Sequence, residues 1–188
     1  MVSDRLPRKA PGTRSPGWLA SMDWGQHHEP RVPRNLAGYL EAMTWIVFQS
    51  GMTWRVVQAK WPGIERAFHG FDPKRVAAMT PREIDRVMKD PDVIRSRPKI
   101  EAVVHNAKEL VAIGQQRGGF RSYMRSLGAF DEAAPVLRKR FRYLGDHGTY
   151  YFLWQVGESV PDWDTFIGDR GGAAKRTGHR PSASRPDR

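Results

Sequence analysis

At 188 residues, with 39% apolar residues and seven tryptophans, the chain has material for one domain with a real core. It has no cysteine, which excludes disulfides and thiolate metal sites, and no apolar run of eighteen residues, so no membrane span is expected. The formal charge of +11 and the pI of about 10.4 favour a polyanionic partner, nucleic acid above all, although a generally basic, Arg-rich proteome produces the same balance.

The first 17 residues are rich in Pro, Gly, Ser and Arg and lack an apolar core segment, which predicts a basic arm rather than a secretory signal. An Arg-rich, acid-poor start also suits a transit peptide. Trp18-Leu19 and Met22-Asp23-Trp24 open the ordered part, because tryptophan is costly to leave in water. Gln26-His27-His28-Glu29-Pro30 reads as a polar loop. Its adjacent side chains diverge and no second ligand cluster follows, so no metal is assigned there.

Asn35 is placed to cap a helix whose apolar face is Leu36, Tyr39, Leu40, Met43, Ile46 and Val47, ending near Ser50-Gly51. A helix through Trp54, Val56 and Val57 follows, and Pro62 is expected to open another with Ile64 and Phe68. Asp72-Pro73 pairs an N-cap with proline at the first helical position. Thr80-Pro81-Arg82-Glu83 repeats that signal with a capping box. Asp90-Pro91 interrupts the chain again. From Ile100, apolar residues at Val103, Val104, Ala107, Leu110 and Val111 mark one face of a helix that stops near Gly114. Its basic start, Arg95-Ser96-Arg97-Pro98-Lys99, sets mobile cations beside a helix N-terminus, which is a candidate anion site.

Beyond a polar loop at Gln115 to Gly119, Phe120, Tyr123, Met124 and Leu127 predict a further helix. Asp131 is expected to cap one with Val136, Leu137 and Phe141, and Asp146 one with Tyr150, Leu153, Trp154 and Val156. Arg138, Lys139, Arg140 and Arg142 read either as a solvated face or as a second phosphate contact. Pro161-Asp162-Trp163-Asp164 closes the ordered part, and the chain from Asp169 is a basic tail rich in Gly, Ser and Pro. No alternating strand pattern appears. The fold expected is all-α, two clusters of short helices flanking a cleft. A single domain over residues 18–168 lies between the arm at 1–17 and the tail at 169–188.

Four motifs, in order, carry a resemblance. They are Gly51-Met52-Thr53-Trp54, Phe68-His69-Gly70-Phe71-Asp72-Pro73, Val76-Ala77-Ala78-Met79 and Ile94-Arg95-Ser96-Arg97-Pro98-Lys99-Ile100. A weaker match runs from Leu137 through Gly145 to Gly157. Together they resemble the 3-methyladenine DNA glycosylase I family, a branch of the helix-hairpin-helix DNA glycosylases. The resemblance implies a helical enzyme that excises an alkylated base from duplex DNA without cutting the strand. It implies a base pocket at Trp54, Gln49, Trp24 and Ile46. It also implies a phosphate grip at Arg95, Ser96, Arg97, Lys99 and Ile100, with backbone amides of Lys99 and Ile100 donating. Trp54 taken alone reads better as core, and the motif around it brings the pocket role level with that reading.

The chain departs from the family in three places. The family's lesion-binding glutamate falls at Ile46, or at Val47 with a one-residue shift, a pocket tyrosine falls at Leu19, and the zinc-binding cysteines are missing. The catalytic aspartate of the broader superfamily would fall near Gly118-Gly119, where no carboxylate stands. The 3-methyladenine branch lacks that aspartate too, since its substrate base is already cationic and leaves easily. No catalytic residue is therefore assigned, and neither a cofactor nor a metal is expected. The partner implied is double-stranded DNA with a damaged base, met by a monomer in a bacterial cytoplasm, with no membrane. The competing reading is a non-catalytic DNA-binding module that kept the grip and lost lesion recognition.

Overall fold

The computed structural model describes residues 30–115 and 118–168, whose regular structure is entirely helical. The basic arm, Leu19, Trp24, the His27-His28-Glu29 loop and the tail from Asp169 lie outside the described residues. One compact unit spans Gly25–Val160, and residues 161–168 belong to a second.

The core is built around two helices. Helix α1, Leu36–Gln49, starts where the Asn35 side chain accepts a hydrogen bond from the Gly38 N–H at 3.1 Å. Tyr39, Leu40 and every residue from Ala42 to Phe48 are buried, so α1 is covered on all sides rather than along one stripe. Helix α2, Trp54–Ala67, follows a four-residue turn. It runs continuously through Pro62, so the expectation of a separate helix opening at Pro62 is corrected. Proline forfeits the bond to the Gln58 carbonyl, but Trp61 and Ile64 are buried on either side of it. Gly63 also lets α2 approach the chain at Asp92 so closely that a Cβ would sit 2.2 Å from the Asp92 carbonyl oxygen. Tertiary packing thus overrides the local break.

A 3₁₀ turn, His69–Phe71, leads into helix α3, Pro73–Ala77, where the Asp72 carboxylate accepts from the amides of Lys74 and Arg75. Helix α4, Pro81–Lys89, has the full capping box: Thr80 N–H donates to Glu83 at 2.7 Å and Glu83 N–H donates to the Thr80 hydroxyl at 3.3 Å. Helix α5, Arg97–Gly114, is the second central element and packs against α1, α3 and α4. Helix α6, Gly119–Ser126, turns its Phe120 and Met124 into the core.

Helices α7, Phe130–Arg140, and α8, Asp146–Gln155, form a hairpin joined by residues 141–145. Two caps differ from expectation. Asp131 lies inside the first turn of α7, where Glu132 instead accepts from the Ala129 N–H at 3.0 Å. Asp146 is the first residue of α8, and Gly145 holds the capping position. Residues 163–168 form a short helix whose start is capped by Asp162, which accepts from the Thr165 N–H at 3.0 Å.

Candidate nucleic-acid interface

The turn between α1 and α2 sets two of the expected pocket residues at its ends. Gln49 closes α1 and Trp54 opens α2, and both are half-buried. The Arg55 guanidinium lies 5.7 Å from the Trp54 ring centre, so one face of that ring meets a cation. Ile46 is different. It is buried at 7% exposure, and its side chain packs against Gly148 at the start of α8, where even a Cβ would come within 3.0 Å. The position onto which the resemblance carries the family's lesion-reading carboxylate is here part of the hydrophobic core. Ile46 as a pocket residue is corrected accordingly: a branched alkyl side chain with neighbours this close is covered by them.

The same turn depends on Lys99. Its ammonium reaches back to donate to the carbonyls of Phe48 at 2.9 Å and Ser50 at 2.5 Å. These are carbonyls at the C-terminal end of α1, which the helix itself leaves without donors. Burial holds the Lys99 pKa below the usual lysine value. Lys99 is thus a cap on α1 and is turned away from solvent, which corrects its assignment as a phosphate ligand. The α5 start also offers fewer donors than expected. Pro98 has none, and the amides of Lys99 and Ile100 both donate to the Ser96 carbonyl, at 3.1 and 3.0 Å. The Ile100 side chain is fully buried. Arg97 is held between Asp85 and Glu101. Of the expected grip, exposed Arg95 and half-buried Ser96 remain at the surface, and Arg95 makes no ion pair among the described residues.

A second basic turn joins α7 and α8. In the α7–α8 hairpin, Asn106 of α5 holds the Arg142 backbone at both groups. Its amide oxygen accepts the Arg142 N–H at 2.8 Å and its NH₂ donates to the Arg142 carbonyl at 3.1 Å. The His105 imidazole contacts the Arg140 carbonyl at 3.1 Å. Arg140 is itself engaged with Glu109 at 2.6 Å, and Arg138 with Asp146. Lys139 and Arg142, by contrast, are exposed. Between them and α8 stands Gly145, whose φ of −65° suits any residue and whose missing Cβ would meet nothing within 4 Å. Gly145 is exposed at the start of α8, whose first turn carries the Asp146 carboxylate paired with Arg138. Asn106 was not foreseen. Its signal was a lone polar residue between Val103, Val104 and Ala107 on an apolar face, which burial makes costly without partners.

Among the described residues no cluster of three His, Asp or Glu side chains could hold a metal, and no helix is long and apolar enough to cross a membrane.

A family model described as methyladenine glycosylase matches residues 23–157. The chain is 31% identical over 130 residues to the DNA-3-methyladenine glycosylase of Haemophilus influenzae, an alignment covering 58% of this chain and 70% of that protein. It is 28% identical over the same length to DNA-3-methyladenine glycosylase 1 of Escherichia coli, with the same coverage. The crystallised 3-methyladenine DNA glycosylase I of Staphylococcus aureus superposes with a TM-score of 0.63 at 26% identity, over 81% of this chain and 92% of that one.

Proposed function

Because the chain belongs to the methyladenine glycosylase family, we propose that it is a monofunctional DNA glycosylase acting on an alkylated base, 3-methyladenine or a related adduct, flipped out of duplex DNA. The family match over residues 23–157 carries this reading. It spans the α1–α2 turn with Trp54, the whole of α5 and the α7–α8 hairpin.

The reaction breaks the bond between C1′ of the sugar and the base nitrogen, and water adds to C1′. A ring-alkylated purine carries positive charge and departs as a neutral molecule, so little acid assistance is required. That chemistry fits a chain with no carboxylate assigned to protonate the base. What the protein must supply is a bent, gripped duplex and a place for the extruded ring. Lys139 and Arg142 of the α7–α8 hairpin hold the backbone, with Arg95 as a second contact on another element. Trp54 offers an aromatic face at the head of α2, and Gln49 an amide at the end of α1. The protein acts as a monomer in the bacterial cytoplasm, without a cofactor.

Incubation with methylated duplex DNA and chromatography of the products tests this. Release of free 3-methyladenine or another alkylated purine is expected. Tight duplex binding with no base released would overturn it in favour of a non-catalytic DNA-binding module. The observation that favours that second reading is Ile46, buried at the position onto which the resemblance carries the family's lesion reader. Trp54→Ala is expected to remove excision while leaving duplex affinity within about twofold. A parallel loss of the helical circular dichroism signal would show Trp54 to be core instead.

A further inference from the structure

Three residues other than glycine hold a positive φ among the described residues: His69 at 55°, Phe71 at 59° and Tyr143 at 62°. The first two flank Gly70 in the 3₁₀ turn, where burial of Phe71 against Trp61 secures the conformation. Tyr143 is different. A bulky side chain in the left-handed region is an outlier, and this one is 39% exposed. The strain is imposed from both sides. Phe141 and Leu144, two residues before and one after, are buried in the core. Asn106 holds both backbone groups of Arg142, and the Thr149 hydroxyl donates to the Leu144 carbonyl at 3.0 Å. The ring between these anchors makes no hydrogen bond and no ring contact among the described residues. Strain that the surroundings impose so firmly is characteristic of functional positions.

The charges nearby decide what the ring can meet. Of the four cations in residues 138–142, Arg138 faces Asp146 and Arg140 faces Glu109, which leaves Lys139 and Arg142 exposed beside the tyrosine in the chain. An aromatic face for a base and cations for its phosphates are the two requirements of a bound nucleotide. Bases paired and stacked within a duplex offer no face to such a ring, so the base concerned is an unpaired one. The turn is also well placed. A Cβ on Gly148 would lie 3.1 Å from the Tyr143 carbonyl oxygen and 3.0 Å from Ile46. The turn therefore packs beside the position onto which the resemblance carries the family's lesion reader.

We propose that Tyr143 is a stacking platform for an unpaired base of the DNA, with Lys139 and Arg142 meeting the phosphates of that nucleotide. The clamped backbone presents the ring in one orientation, so little freedom is lost on contact. The inference rests on the reading of the partner as DNA within the glycosylase function, and its test separates the two.

Fluorescence anisotropy of the full chain compares a labelled oligothymidine with an abasic sugar-phosphate strand of equal length. The unaltered chain is expected to bind oligothymidine at least about fivefold tighter. Tyr143→Phe should keep that preference, because the ring face and not the hydroxyl is used. Tyr143→Ala should abolish it, with affinity for the abasic strand unchanged. Tyr143→Gly suits the left-handed backbone and should also abolish it, without lowering the urea midpoint. Base release from methylated duplex is timed on the unaltered protein in parallel. Equal affinity for the two strands, or a preference that survives in Tyr143→Ala, would overturn this inference, and release of an alkylated base would then leave the glycosylase reading standing. A Tyr143→Gly midpoint that falls along with the preference would make the ring a structural element and overturn the inference too. A chain that binds neither strand nor duplex would overturn both.

Discussion

Lys99 and Arg95 begin as equivalent cations four residues apart, and the structure assigns them opposite roles. Lys99 satisfies the carbonyls of Phe48 and Ser50 from the buried side of α5, whereas Arg95 stays in solvent. Lys99→Met should therefore strand the buried Phe48 carbonyl and the partly buried Ser50 carbonyl and cost about 1–3 kcal/mol, read as a lowered urea midpoint. Arg95→Ala should change stability by less than about 0.5 kcal/mol while weakening duplex binding. Equal stability of the two variants would remove the capping role of Lys99. That role was not legible in the sequence, because the carbonyls it serves lie about fifty residues earlier. A basic residue near a helix start looks the same whether it faces an anion or a neighbouring helix end. Trp54 was legible as a motif residue at the head of a helix, and it stands there half-buried.

Among the elements, those whose ends are written in local chemistry were predictable. Asn35, Asp72, Thr80 and Gly114 mark helix ends because their caps and breaks act within three or four residues. The misreadings, Pro62 above all, occur where distant packing decides. The capping box of α4 carries a pH signature. Its Glu83 carboxylate is held below the usual 4.5 by the Thr80 N–H, then by the Thr80 hydroxyl. A depressed folded-state value means the contribution is complete above the unfolded value and is lost as pH falls through the folded one. Urea midpoints of the unaltered chain should fall below about pH 4.5 more steeply than those of Glu83→Gln. Identical acid limbs would detach the box from acid stability. At the α7–α8 hairpin, Asn106→Ala should cost about 1–3 kcal/mol by leaving the Arg142 amide and carbonyl without their partners. It should weaken duplex binding beyond what Arg142→Ala does alone, since the whole turn loses its anchor. Duplex affinity unchanged in Asn106→Ala would mean the hairpin does not touch DNA.

For the whole molecule, the excess of positive charge needs dividing between cations already engaged and those available. Arg97, Arg138 and Arg140 face carboxylates, and Arg121 and Arg125 share Glu158, so none of these five is a free phosphate ligand. Lys139 and Arg142 on the hairpin and Arg95 before α5 are exposed and have no such carboxylate among the described residues. Counterion release makes the distinction measurable. Each phosphate neutralised adds about 0.9 to the slope of log affinity against log salt. Replacing Lys139, Arg142 and Arg95 together by alanine should therefore flatten that slope by up to about 2.7. The same change at Arg121, Arg125 and Arg138 should barely move it. Fluorescence anisotropy of a labelled undamaged duplex between low and moderate salt reads both sets. A larger fall for the second set would place the DNA on those arginines, two on α6 and one on α7. An unchanged slope in both would assign the binding charge to the remaining basic residues.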